Sequence, residues 1–425
     1  MPLLRDTSCP LWFMNLGLPP ISEPGAEPRM PAKKTARPAK KNESANPWKQ
    51  RLAYLDSRLR DMVATIREFV EIESPSDNKL AADRMGALLA GRFQSLAGQA
   101  HVHRSEEYAD SIQINFAGRT SAKPVLLLGH FDTVYPVGTL AGMPCRVEAG
   151  RMYGPGVLDM KSGIALMFYA IEALKVWNGA LPRPVTVFLV SDEEVGSYSS
   201  RAITERLAKE SAAVLVLEPA AGVRGAVKTA RKGVGEYFLT VKGIASHAGL
   251  DPGKGHSAIV ELAHQITAIY KLNNLQQGLS ANPGIIRGGT RTNVVAAEAT
   301  VEIDVRIKKA TQAAAVDRKL RALKAHDKHC QLHLEGGINR LPMERTPGVV
   351  AIYKKAQSVA ANINWKLEEA AVGGGSDGNF TAGMGIPTLD GLGGVGDGAH
   401  AVHEHIVVSE LPRRALLLAG LIETI

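Results

Sequence analysis

Cysteine is scarce in this sequence: three in 425 residues, at Cys9, Cys145 and Cys330. They are far apart, odd in number and form no Cys-x-x-Cys pair. That argues against both a thiolate zinc site and a disulfide framework. Aromatic residues are few, at 5%. No uninterrupted apolar run reaches the roughly 18 residues of a membrane helix, so no membrane partner is expected. A large charge of one sign is missing as well. The formal net charge is +8, but the first 50 residues hold eight Lys or Arg against four acids, and the remainder 42 against 38. The body is close to balanced, which leaves nucleic acid little to bind. What is present is an ordinary globular composition, 45% apolar and 22% charged, at a length that suggests two or three domains.

Residues 1–47 are rich in Pro, Ala, Lys and Ser, without periodicity, and read as a disordered tail. Residues 10–21 make a poor signal-peptide core, because Asn15 and Pro19-Pro20 interrupt it. The expected location is therefore cytoplasmic, with a periplasmic or secreted protein as the alternative if this segment is processed. The basic stretch from Lys33 to Lys41 reads as a solvated face. From Trp48 the chain looks globular. Leu52, Leu55, Leu59, Met62, Ile66 and Val70 recur at helical spacing. Apolar strand patterns at 111–116, 125–129, 185–191 and 213–217 alternate with helical patterns at 163–176 and 199–209. This predicts an α/β fold with a mostly parallel central sheet and helices on both faces. Strands at 236–241 and 300–307 alternate instead, with Val301, Ile303, Val305 and Ile307 on one face, as in a sheet wet on one side. With helices at 257–271 and 311–324, they predict an inserted α+β domain over 231–339. The main domain then spans 48–230 and 340–425, closing with a helix from about Leu411.

The residues that could carry chemistry sit where apolar strands end, the edge at which open α/β sheets bind ligands. The first strand runs into His130-Phe-Asp132. His130 could ligate a metal while Asp132 orients its ring. The second runs into Asp192-Glu193-Glu194. Adjacent carboxylates on an extended backbone diverge, so one could bind a metal and the other reach a water. The third ends in Glu218-Pro. The glycine-rich turn Gly154-Pro-Gly-Val-Leu-Asp159-Met-Lys-Ser-Gly163 lacks P-loop spacing, and Asp159 there is either a helix cap or a further site carboxylate. Converging acids repel one another unless a cation neutralises them. Carboxylate and imidazole donors without thiolate suit Zn, Mn or Co.

In this order, these motifs and His400-Ala-Val-His-Glu404 resemble the M20 family of dinuclear zinc metallopeptidases, over roughly 61–425. The stretches from His130 and from Arg151 look most like its glutamate carboxypeptidase branch. The resemblance implies a zinc-peptidase-like catalytic domain holding two Zn2+, with Co2+ or Mn2+ as alternatives. It also implies a lid that often dimerises, and cleavage of a peptide or amide bond beside a free carboxylate. Position by position, it makes His130, Asp159, Glu194, Glu218 and His400 metal ligands, Asp159 bridging. His403 and His405 stand close enough to compete with His400. Asp132 becomes the orienting partner of His130, and Glu193 the general base. The peptide bond after Asp159 is expected to be cis. From the lid, His247 in Ala245-Ser-His-Ala-Gly would stabilise the oxyanion, often across the dimer, once the lid closes about a hinge near Arg231 and Asn339. Asn293 would help bind substrate. Arg306 and Arg340 are candidates to grip its carboxylate, together with backbone N–H groups of Gly374, Gly375 and Ser376 in a glycine-rich loop. The expected partners are a small peptide or N-acyl amino acid and a second copy of the chain. An N-acyl-amino-acid deacylase or dipeptidase on the same metal core is the main rival. A binding protein that kept the fold without activity would show a broken ligand set, and here every position is filled.

Overall fold

The computed structural model describes Asn46–Ile425. All but the last two residues of the expected tail lie outside the described residues, as do the signal-like segment 10–21 and the basic stretch. Asn46 and Pro47 belong to the folded chain: the Asn46 side chain accepts from the Trp48 N–H and caps helix Pro47–Ser57. The apolar stripe from Leu52 to Val70 runs through two helices rather than one. Pro47–Ser57 and Leu59–Val70 meet at Arg58, whose backbone leaves the helical region while the stripe keeps its phase. No described helix is long and apolar enough to cross a membrane.

The central sheet has six strands in the order Gln99–His103, Ser111–Phe116, Val185–Val190, Val125–His130, Ala213–Val216 and Thr388–Leu389. The last three pairings in that order are parallel, whereas the two at the Gln99–His103 edge are antiparallel. Strands 125–130 and 185–190 are buried along their whole length. Leu127, Val187 and Leu215 pack into the larger core with helices Ser162–Asn178 and Leu411–Thr424. Leu126, Leu128, Phe188 and Val214 pack the other way, against Leu207 and Ala208 of helix Arg201–Glu210. Burial on both faces explains why these strands read as continuous apolar runs. Each fully buried Leu or Val contributes about 1.5–3 kcal/mol. At Gly163 helix and strand touch: a Cβ there would lie 2.1 Å from the Leu217 carbonyl oxygen.

A second, antiparallel sheet runs Ser280–Gly288, Glu298–Ile307, Gly233–Lys242, Gln331–Arg340. The alternating patterns at 236–241 and 300–307 are its two inner strands. Its outer strands escaped the sequence pattern because one carries Pro283 and both have only partly buried faces. Helices Ala258–Tyr270 and Ala310–Arg321 cover one side and share a separate core with Tyr237, Leu239, Val301 and Ile303. A smaller ribbon, Arg146–Glu148, Arg151–Tyr153, His405–Val407 and Gly396–Asp397, brings the C-terminal histidines beside the turn at Asp159.

Candidate metal centre

Because strands 125–130, 185–190 and 213–216 are parallel, their C-terminal ends share one edge of the sheet. His130, 1% exposed, sits there with its Nε2 3.1 Å from Asp159 Oδ1 and 3.5 Å from Glu218 Oε1. On the other side of Asp159, His400 Nε2 lies 3.1 Å from Glu194 Oε1 and 3.5 Å from Asp159 Oδ2. Two triads therefore share one carboxylate, which offers a different oxygen to each. Within each triad one donor atom per residue falls within 4.8 Å of the others. His403 and His405 are not in either triad. His405 Nδ1 instead contacts the His403 carbonyl. His400 takes φ 63, a left-handed backbone uncommon outside glycine.

Buried polar groups hold these donors. The turn at Asp159 is anchored by Glu404, fully buried, whose carboxylate accepts the N–H groups of Gly156, Leu158 and Asp159 at 3.0, 2.7 and 3.0 Å. The Asp159–Met160 peptide is cis, as the resemblance implied. Asp132 does more than orient a ring. Its backbone carbonyl is the nearer partner of His130 Nδ1, at 3.0 Å, with carboxylate Oδ1 at 3.4 Å. The carboxylate also accepts from Ser76 Oγ at 2.7 Å and from the N–H groups of Glu193 and Glu194 at 3.3 and 3.2 Å. Glu193 and Glu194 are not on extended backbone as expected. Residues Glu193–Val195 form a short 3-10 turn, and that turn, not a strand pleat, separates the two carboxylates. Asp192 leaves the site and accepts from Ser199 and Ser200.

The electrostatics follow from this crowding. Burial alone would lower the His130 pKa, but Asp132, Asp159 and Glu218 outweigh it and hold the ring well above its ordinary value. Hydrogen bonds to Asp159 and Glu194 lift His400 to about 10. Burial pushes Glu193 well above the usual carboxylate range, against the pull of Arg340 and His130. So many carboxylates around two imidazoles make a strongly cation-seeking site.

Arg231 was missed as a site residue and was expected only near a hinge. It is 4% exposed and pinned. It donates to Asp390 from Nε (2.7 Å) and Nη2 (3.0 Å), to Glu218 Oε2 at 3.0 Å, and to the carbonyls of Gly374 and Gly375 at 3.1 and 2.9 Å. Nothing local in the sequence marks it, because all its partners but Glu218 are remote in the chain.

Beside Glu193 opens a cleft of about 260 Å³ lined by Glu193, Glu194, Arg306, Asn339, Arg340 and Gly375. The substrate-side expectations divide here. Arg306 reaches the cleft, with Nε and Nη2 on Asp304. Arg340 is committed to Glu193 Oε1 at 3.1 Å, Asp377 at 3.0 Å and Ser197 at 2.8 Å, so it braces the acidic turn. Ser376 does not present its N–H to the cleft. It is fully buried, its N–H donates to Asn379 and its hydroxyl to Asp390. His247 and Asn293 are brought together but not to the cleft. His247 bridges to Val294, and the Asn293 carbonyl accepts the Ala248 N–H. Both side chains are held on exposed loops of the second sheet.

A known family, described as peptidase family M20/M25/M40, matches residues 126–424. The chain belongs to that family. The M20 chain is 28% identical to carboxypeptidase G2 of Pseudomonas sp. (strain RS-16) over 374 residues, which cover 85% of it and 88% of that protein. It is also 28% identical to a succinyl-diaminopimelate desuccinylase of Delftia acidovorans over 312 residues, covering 69% and 80%. In fold it is similar to aminopeptidase PepT of Bacillus cereus, with a TM-score of 0.72 at 24% identity, over 86% of this chain and 98% of that one. The M20 chain is thus a metal-binding hydrolase of metallopeptidase type. Its residues fit the dinuclear metal typical of the family. The five donors are imidazole and carboxylate only, and the shared Asp159 oxygens face opposite triads.

Proposed function

We propose that this M20 enzyme is a dinuclear zinc carboxypeptidase of glutamate type, cleaving a peptide or amide bond beside a free C-terminal carboxylate. The observation that carries the reading is Glu193. It lines the cleft together with Arg306 and with Glu194, which belongs to one of the triads. Two ions held by His130, Asp159 and Glu218 and by His400, Asp159 and Glu194 supply Lewis acidity and lower the pKa of water when bound. Glu193 receives the proton from the attacking water and returns it to the leaving amine. Arg340 keeps that carboxyl in place, while Asp132 holds the Glu193 backbone N–H. His247 Nδ1 accepts the N–H groups of Gly249 and Leu250 at 3.1 Å each, so the neutral ring carries its proton on Nε2, ready to donate to an oxyanion. In this reading His247 and Asn293 serve the cleft of a second copy, docked through the edge strand Ser280–Gly288 with its exposed Ile285 and Ile286. Arg306 with Gly374 and Gly375 grips the substrate carboxylate.

The likeness to the desuccinylase favours a second reading, an N-acyl-amino-acid deacylase on the same core. One assay separates them: the zinc-loaded protein against dipeptides and N-acyl amino acids ending in Glu, Asp, Gly or Ala, beside analogues whose terminal carboxylate is amidated. The carboxypeptidase reading expects strong preference for a free carboxylate, Glu foremost; equal turnover of the amides hands the case to the deacylase. Glu193→Gln is expected to lose about 10²–10⁴ in kcat while keeping its metal. Normal turnover by that variant ends the general-base assignment.

A further inference from the structure

Outside this centre the histidines are unevenly distributed. The chain has 12, and four of them meet in ring pairs on the second sheet's helical side. His264 and His326 stack 4.3 Å apart at 9°, and His256 and His329 lie 4.1 Å apart at 34°. Asp327 stands against the second pair. Its Oδ2 is 2.6 Å from His256 Nδ1, and its Oδ1 accepts the His329 N–H at 2.9 Å. One donor atom from each of His256, Asp327 and His329 falls within 4.8 Å of the other two, a limit that both triads of the catalytic edge also meet.

Both arms of this cluster are anchored. Glu261, 2% exposed, accepts the N–H groups of His326 and Asp327 at 2.9 and 2.8 Å, and the Cys330 N–H closes the turn onto the Asp327 carbonyl at 3.0 Å. His256 exchanges two backbone hydrogen bonds with Ile244, each 2.9 Å. A simple ion pair explains His256 against Asp327. It does not account for the second imidazole, whose ring lies 4.1 Å from the first. A single cation accepting one lone pair from each ring and one from the carboxylate satisfies all three groups.

We propose that His256, Asp327 and His329 bind a divalent transition-metal ion of zinc type, separate from the pair at the catalytic edge. Two imidazoles and one carboxylate select this class over Mg2+ or Ca2+, which take oxygen donors. The side chains of His256 and Asp327 are 25% and 36% exposed, so the ion is reachable and water completes its coordination. His256 closes the base of the loop that carries His247, through its pairing with Ile244. The ion therefore ties that loop to the connection between helix Ala310–Arg321 and strand Gln331–Arg340.

The test is metal content. The full chain is stripped with chelator, equilibrated with zinc chloride, gel-filtered and measured by plasma mass spectrometry, beside the double variant His256→Ala/His329→Ala. The wild type is expected to retain one zinc per chain more than the variant, and zinc-edge anomalous scattering from crystals to place that ion among the three side chains. Equal zinc content in the two, or anomalous peaks at the catalytic edge alone, overturns the site. If the double variant does not fold, Asp327→Asn keeps the shape and is expected to weaken zinc binding at this position at least ~10-fold; unchanged binding is equally fatal. Loss of the ions at His130 and His400 would count against the catalytic reading and not against this one, because the two centres are counted at different positions.

Discussion

The two sheets carry the proposed functional groups in opposite ways. The central sheet is buried on both faces and delivers His130, Glu193, Glu194 and Glu218 from the ends of its strands, where Asp132, Arg231 and Glu404 lock them by hydrogen bonds. The second sheet keeps its own core and a wet face. It carries Arg306 on that face and His247 and Asn293 on exposed loops. Donors that must hold ions close together need a rigid frame, since neighbouring carboxylates separate if they can. A group that meets the reaction only in the transition state can arrive on a separate unit, and its loss leaves the frame intact.

Three experiments break or sharpen this contrast. The largest effect is expected at the second sheet. His247→Ala should lower kcat by about 10²–10³, the scale of one lost oxyanion donor, with the unfolding midpoint unmoved. A large drop in thermal stability instead would make His247 part of the frame and erase the distinction.

The next lies in the turn that carries Asp159. Lys161, 1% exposed, donates from Nζ to the Ile72 carbonyl at 2.7 Å, and burial lowers its pKa to about 8 from 10.5, against the pull of Glu404 and Glu73. Between those values the unfolded chain binds more protons than the folded one. Stability should therefore rise with pH through that window, and below pH 8 the buried charge costs about 3 kcal/mol. Lys161→Met should flatten that rise in urea titrations taken at pH 7.5 to 10.5. A wild-type curve without the rise refutes the assignment.

The smallest is Glu404→Gln. It leaves the metal donors in place but spoils the acceptor for three N–H groups of the Asp159 turn. Metal affinity, read by chelator competition, should fall about 10–100-fold, as for other outer-sphere partners. No change would mean that the turn holds itself.

Much of this site was legible in the sequence because its signals are local. A run such as Val185 to Val190, short, apolar and rich in β-branched residues, reads as a strand covered on both faces, and an acid directly after it is conspicuous. That exposed His130, Glu193, Glu194 and Glu218 as a set, and the shared motif order added Asp159 and His400. The antiparallel edge and the outer strands of the second sheet were not legible, since their residues are half exposed and the periodic signal is weak. Neither was the engagement of Arg340 with Glu193, 147 residues away, nor that of Arg231 with Asp390, 159 residues away.

The sequence by itself determined the chemistry available: too little thiol for a thiolate metal site, balanced charge in the body, and imidazole and carboxylate gathered at strand ends. Apolar runs and charged punctuation are properties of neighbouring residues, so they survive in one dimension. The tertiary structure alone decided which oxygen of Asp159 faces which histidine, that Arg340 braces Glu193, that Ser376 is closed to the cleft and that His256 meets His329. Each is a pairing of groups brought together only when the sheets fold, and hydrogen-bond geometry at 3 Å leaves no trace in the order of the chain.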